Sequence, residues 1–153
     1  MGIRGLVVAC VLALLGTACT PGAQVAPNNQ IAGGAILINM ALVNSTPTST
    51  PFGNVQAYNP DFVTVAVGST IQFHNNDNFN HTATMIAGVF PPANNIPIAA
   101  LQPNGTDLAN ANWSTGDVTP NAFSQTLRAS TPGTYLFGCQ HHYPVMRGVI
   151  IVQ

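Results

Sequence analysis

Glycine and proline interrupt this sequence so often that short strands joined by turns are favoured over long helices. The 153 residues include 14 Gly and 12 Pro, and Asn, Thr and Ser supply most of the other polar positions. The strong helix formers Glu and Lys are absent, and the charged residues are four Asp and three Arg. Because this composition is rich in turn formers and poor in helix formers, we predict an all-β domain.

The low charge restricts what the protein can bind. Only 5% of the residues are charged, and the formal net charge at pH 7 is −1. A nucleic-acid-binding domain needs a basic face against phosphates, so that class of protein is excluded. The same composition excludes a highly charged disordered tail and a surface helix held by salt bridges. The length suits one domain with a hydrophobic core of its own.

The N-terminal residues have the pattern of an export signal. A positively charged start (residues 1–4) precedes an uncharged apolar run at residues 5–18, which is too short for a membrane span. Residues 15–19, LGTAC, resemble the lipobox of bacterial lipoproteins. That resemblance implies a signal peptide at residues 1–18 and a lipidated Cys19. The alternative is an ordinary cleaved signal peptide followed by an incidental cysteine, and in both cases we expect export.

The segment after the signal has no hydrophobic periodicity, so we predict a flexible tether at residues 19–30 and a folded domain at residues 31–153. We expect the domain in the periplasm or at the outer face of the cell membrane. Cys139 is then the one cysteine of the domain. Because cysteines in oxidising compartments usually pair, a lone thiol there is either buried and inert or held as a metal ligand or nucleophile.

Alternating and β-branched runs predict several short strands. Residues 61–67 and 70–74 each alternate apolar and polar side chains, and we predict that they form a hairpin-like pair. Loops are predicted at residues 45–60 and 87–116, the second with at most a helical turn near residues 98–101. Further strands are predicted at Ile36–Val43, Asn80–Ile86, Ala122–Ala129, Thr134–Phe137 and Val145–Val152. The pattern predicts an antiparallel β-sandwich or barrel.

Four potential metal-binding side chains lie near the predicted strand ends. Cys139, His142 and Met146 belong to one short loop between two strands, so their side chains are expected to converge. His81 lies upstream, before a β-branched run. A thiolate, two imidazoles and a thioether suit copper, with the thioether as a weak axial ligand.

Two adjacent histidines follow Cys139, and only one is expected to bind the metal. His141 would share a face with Cys139 if the strand continued. Pro144 cannot donate to a strand ladder and biases Tyr143 away from helical geometry, so we expect the chain to turn here. A turn brings its first and fourth residues within about 7 Å. We therefore predict that His142 is the ligand and that His141 points outward.

These segments resemble the cupredoxins, the small blue-copper electron-transfer domains that include plastocyanin, amicyanin and pseudoazurin. His81 lies in a Phe-x-Asn-x-Asp-x-x-x-His-Thr pattern typical of that family, and the loop from Cys139 to Met146 matches the family's ligand loop. Three residues separate His142 from Met146, whereas many members have two or four. The resemblance covers residues 61–153 and implies a Greek-key β-sandwich. It also implies one type 1 copper ion, bound by His81, Cys139, His142 and Met146, and single-electron exchange with redox protein partners.

The sequence is also compatible with other functions. A copper-storage or copper-delivery protein could use the same fold. One domain of a multicopper oxidase or nitrite reductase would need a second copper site, which His74 and His141 do not obviously build. A structural β-domain without metal is the remaining alternative. We expect an electron carrier rather than an enzyme.

Each candidate ligand also has a structural alternative. Cys139 could be a buried free thiol, His81 a histidine bonded to nearby backbone, and Met146 a core residue. We expect Asn75 to hydrogen-bond the ligand loops. Other residues are expected to be structural: His74 on its strand, and Met40 and Met85 in the core.

Overall fold

The computed structural model describes residues 34–92 and 101–153, which contain ten β-strands. In chain order these are β1 (Ile36–Met40), β2 (Thr48–Thr50), β3 (Gly53–Val55), β4 (Tyr58–Asn59), β5 (Phe62–Val65), β6 (Thr70–Asn75), β7 (Thr84–Ile86), β8 (Leu127–Arg128), β9 (Gly133–Gly138) and β10 (Arg147–Val152). No helix within the described residues is long and apolar enough to cross a membrane.

Two four-stranded sheets form a β-sandwich. The first has the order β4-β1-β6-β8 and the second β5-β10-β9-β7, while β2 and β3 form a separate two-stranded sheet. The predicted all-β sandwich is confirmed. The sheets are mixed rather than wholly antiparallel, because β1 runs parallel to β6 and β5 runs parallel to β10.

The predicted hairpin between residues 61–67 and 70–74 is wrong, although both strands form. β5 pairs with β10 in one sheet, and β6 pairs with β1 in the other. Gly68, with a φ of +90°, turns the chain between the two sheets, and its N–H donates to the carbonyl of Ala129 at 2.8 Å. Alternation shows that a strand has one buried face, but it does not show in which sheet that face lies.

One predicted loop contains strands, and one predicted strand is much shorter than expected. The predicted loop at residues 45–60 contains β2, β3 and β4, and β4 extends the first sheet at its edge. Conversely, the strand predicted at residues 122–129 is reduced to the two residues of β8. The predicted signal peptide (1–18), tether (19–30) and domain start at residue 31 lie outside the described residues, as do residues 98–100 of the predicted helical turn.

A cluster of aromatic rings fills the space between the sheets. Phe73 of β6 meets Phe137 of β9 edge-on, with ring centroids 5.4 Å apart. Tyr58 of β4 lies 4.7 Å from Phe137, and Trp113 lies 6.3 Å from Phe73. All four rings are buried. Because Phe137 is two residues before Cys139, this packing fixes the point where β9 ends and the ligand loop begins.

We predict that Phe73→Ala lowers the free energy of unfolding by about 3–5 kcal/mol, because it leaves a cavity between the sheets. Phe123→Ala is the control, since Phe123 is 51% exposed and its removal should cost less than about 1 kcal/mol. Denaturant titration of both variants measures the difference. Equal losses would contradict the placement of Phe73 in the core.

Candidate metal centre

The register of two neighbouring strands brings the upstream histidine to the C-terminal loop. β7 and β9 run antiparallel, with Thr84 opposite Gly138. The residues just before β7 and just after β9 therefore leave the sheet at the same end. His81 precedes β7 by three residues and Cys139 follows β9 directly, so the two side chains meet there.

The loop from Cys139 to Met146 is closed by its own backbone hydrogen bonds. The N–H of Cys139 donates to the carbonyl of Met146 at 3.0 Å. The carbonyl of Cys139 accepts from His142 at 3.3 Å and from Tyr143 at 3.0 Å, and Met146 N–H donates to His142 at 3.1 Å. This is the turn that the sequence predicts between Cys139 and His142, and it brings these two side chains next to each other.

Three donor atoms converge in this turn. Cys139 Sγ lies 3.4 Å from His142 Nδ1 and 3.7 Å from His81 Nδ1, and the two nitrogens are 3.1 Å apart. A triangle of these sides has a centre about 2 Å from each corner, close to the lengths of metal–imidazole and metal–thiolate bonds. The geometry therefore suits a single ion bound in the plane of one sulfur and two nitrogens.

Met146 is completely buried at the other end of the loop. Its backbone bonds to both Cys139 and His142, as described above, and its side chain belongs to the same core cluster as Cys139. These contacts hold the residue at the base of the loop, where β10 begins.

Thr82 connects the two segments that carry the ligands. Its N–H donates to Cys139 Sγ at 3.4 Å, and its hydroxyl accepts the N–H of Gln140 at 2.8 Å. The buried hydroxyl of Tyr58 in turn donates to the carbonyl of Thr82 at 2.6 Å. Burial raises the pKa of the Cys139 thiol, and the bond from Thr82 partly opposes this shift.

The ring of His81 has a defined orientation. Its Nε2 lies 2.8 Å from Oδ2 of Asp77. A carboxylate oxygen can only accept, so Nε2 carries the proton and Nδ1 offers a lone pair to the other two donors. Burial lowers the pKa of His81, while the carboxylate of Asp77 opposes that effect.

His142 is the most exposed of the three donors, although it is still partly buried. Its ring lies 4.8 Å from that of His81 and 5.3 Å from that of Phe79. Burial lowers the pKa of His142, and the neighbouring His81 lowers it further. At neutral pH both imidazoles are therefore uncharged, which is the form that binds a metal ion.

The neighbouring His141 lies outside the three-donor cluster. Its Nε2 is 2.6 Å from Oδ1 of Asp117, and both side chains are partly exposed. The structure thus turns His141 away from Cys139 and places His142 beside it.

The other residues singled out in the sequence have structural contacts. His74 stacks on Phe123 with ring centroids 4.2 Å apart and lies outside the cluster. Asn75 is buried, and its amide donates to the carbonyls of Phe79 and Val118, both at 2.8 Å. It therefore fixes the segment that leads to His81, as expected. Of the remaining methionines, Met40 is buried in the core and Met85 is partly buried against it.

Asp77 and Thr82 have roles at the site that were not predicted from the sequence. Both lie in the segment that matches the family pattern, and a carboxylate four residues before a ligand histidine is a recognisable signal for a hydrogen-bonded ligand. Other partners come from distant parts of the chain, since Asp77 also bonds to Leu42, 35 residues away, and Thr82 bonds to Cys139, 57 residues away. Those long-range contacts become visible only in the folded structure.

The donor set fits copper. One thiolate and two imidazoles in a triangle, on a loop that ends in a buried methionine, form the trigonal arrangement typical of blue-copper sites. The hydrogen bond donated by Thr82 to Cys139 and the one accepted by Asp77 from His81 orient these two donors, as the partners of metal ligands usually do.

A model of the copper-binding proteins of the plastocyanin/azurin family matches residues 49–153. The chain belongs to this family. The predicted membership of the cupredoxins is therefore confirmed, and the copper site of this cupredoxin is the one formed around Cys139. No curated protein sequence matches the chain.

Solved structures of amicyanin resemble this cupredoxin. The reduced state of one amicyanin variant is 21% identical, with a TM-score of 0.51, and the match covers 84% of this chain and 97% of that chain. Another reduced variant is also 21% identical, with a TM-score of 0.50, and the match covers 80% of this chain and 86% of that chain. At this identity the likeness shows the fold.

We predict that binding of Cu(II) at pH 7 releases about one proton per ion. Copper binds the thiolate, and the raised pKa of Cys139 keeps the thiol protonated before the metal arrives. The histidines contribute none, because their lowered pKa values leave them neutral. Titration in weak buffer measures the release, which should stay constant between pH 7 and 8.

Cys139→Ser provides the control, since its hydroxyl keeps its proton and the release should disappear. Release of two or more protons from the wild-type protein would show that the histidines are charged in the metal-free state and would contradict the assignment.

Proposed function

We propose that this protein is an exported, lipid-anchored type 1 copper protein that carries single electrons between redox partners. The observation that carries the proposal is the triangle formed by Cys139, His81 and His142. Bound copper supplies a one-electron couple between Cu(I) and Cu(II). The buried Met146, at the base of the same loop, would supply a thioether as the weak fourth ligand.

Rigid support of the donors favours electron transfer. The bond from Thr82 to Cys139 Sγ and the bond from His81 to Asp77 fix two of the donor side chains independently of the metal, and the turn of the ligand loop fixes the backbone of His142. A site held in this way moves little when the charge of the ion changes. Small rearrangement is what rapid exchange of single electrons requires.

The edge of His142 is the proposed point of contact with redox partners. It is the one donor with solvent exposure, since His81 and Cys139 are completely buried. Val145, which is exposed, and the partly buried Pro144 lie next to it on the loop. Since the chain carries few charges, we expect docking through apolar contacts rather than through charge steering.

The alternative of copper storage or delivery is less well supported. Handover of copper to another protein requires that the receiving ligands reach the ion. Two of the three donors have no exposed surface, and the loop that carries Cys139 is closed by backbone bonds. Membership of the plastocyanin/azurin family also favours the carrier over an enzyme.

The visible spectrum tests the assignment of the ligands. We predict an intense thiolate-to-copper band when Cu(II) is added to the wild-type protein, and loss of this band in Cys139→Ser and in His142→Ala. His141→Ala is the matched control and should keep the band, because His141 bonds to Asp117 instead. Retention of the band in His142→Ala together with its loss in His141→Ala would reverse the assignment.

Lipid anchoring rests on the sequence before the domain. The apolar run at residues 5–18 and the lipobox-like LGTAC support cleavage before Cys19 and its lipidation. The tether at residues 19–30 would then let the domain reach partners near the membrane.

We predict that the mature protein partitions with membranes and that Cys19→Ser releases it or blocks its processing. Fractionation of cells that express each form measures this, and the Cys139→Ser protein serves as a control with an intact lipobox. A wild-type protein that is fully soluble after export would contradict the anchor.

A further inference from the structure

A buried carboxylate lies directly behind one of the copper ligands. We propose that Asp77 is a positioning residue that favours Cu(II) over Cu(I) and so lowers the reduction potential of the site. The inference rests on the proposed function and deepens it, because it concerns the residue that tunes the ion rather than a residue that binds it.

Three hydrogen bonds fix Asp77 in this place. Its Oδ2 accepts from His81 Nε2 at 2.8 Å and from the N–H of Leu42 at 2.6 Å. Its own N–H donates to Oδ1 of Asn75 at 2.9 Å. The side chain of Asp77 is 8% exposed and that of His81 is fully buried. The carboxylate therefore cannot turn away from the imidazole without losing two bonds.

Among residues 34–92 and 101–153, no arginine forms a salt bridge with Asp77. The carboxylate–histidine contacts of these residues are Asp77 with His81 and Asp117 with His141. His81, when it binds the metal, is a neutral imidazole. The negative charge of Asp77 therefore lies on the far side of the His81 ring from the donor atom Nδ1, where it would act on a bound ion.

This charge acts differently on the two oxidation states. Cu(II) carries one more positive charge than Cu(I), so a nearby carboxylate stabilises it more. Burial reduces screening by salt and solvent. The hydrogen bond also makes the imidazole a stronger donor, as a carboxylate does for many metal-binding histidines. Both effects lower the reduction potential.

Asp77→Asn separates the charge from the hydrogen bonds, because the amide oxygen can still accept from His81 and Leu42. We expect the affinity for Cu(II) to fall by roughly 10–100-fold, with a smaller loss for Cu(I). For each tenfold difference between the two losses the reduction potential rises by about 59 mV. Voltammetry and competitive copper titrations measure these quantities.

Asp117→Asn is the matched control. It also removes one negative charge beside a histidine close to the site, but that histidine, His141, lies outside the donor cluster. The reduction potential of the Asp117→Asn protein should stay near that of the wild-type protein. Asp77→Glu keeps the charge, and its potential should lie between the wild-type value and that of Asp77→Asn.

The outcomes distinguish the inference from the proposed function. A wild-type protein without the thiolate-to-copper band would overturn the proposed function. A band in all variants with equal potentials for Asp77→Asn and Asp117→Asn would overturn only the role of Asp77. If Asp77→Asn does not fold, nitrogen NMR of the metal-free wild-type protein decides, since a proton on Nδ1 of His81 instead of Nε2 would contradict the proposal.

Discussion

Strand β7 pairs with β9 so that Thr84 lies opposite Gly138, and this register brings His81 beside Cys139. Thr82 strengthens the junction, because its N–H bonds to the cysteine sulfur and its hydroxyl accepts from the residue after the cysteine. A shift of one residue in this pairing would turn every side chain of β7 to the opposite face. The copper site therefore depends on the sheet rather than on the ligand loop alone.

Burial of the donors has linked consequences for the chemistry. It keeps Cys139 protonated and both histidines neutral before metal arrives, so the metal-free site carries no uncompensated thiolate. The hydrogen bonds that orient Cys139 and His81 are made to groups of the protein rather than to solvent. In a copper-bound protein the same bonds would restrict how far these two donors move between oxidation states. Of the three donors, His142 alone has exposed surface.

The sequence predicted the ligand loop well because its geometry is local. Cys139, His142 and Met146 lie within eight residues, and Pro144 indicates a turn between two strands. The assignment of strands to sheets could not be predicted, because β5 and β6 alternate in the same way but pack into different sheets. The role of Asp77 could not be predicted from the sequence for a similar reason. One of the two groups bonded to its carboxylate, the N–H of Leu42, lies 35 residues away and reaches it through the parallel pairing of β1 with β6.

Crystal structures of the metal-free and Cu(II)-bound forms test most directly whether the site is assembled before copper binds. We expect His81, Cys139 and His142 to keep the same side-chain rotamers in both structures. We also expect copper to lie in the plane of their three donor atoms, bound by His142 and not by His141. Rotation of His81 away from Asp77 in the metal-free form, or copper bound away from the sulfur of Cys139, would contradict a site that is assembled before the metal binds.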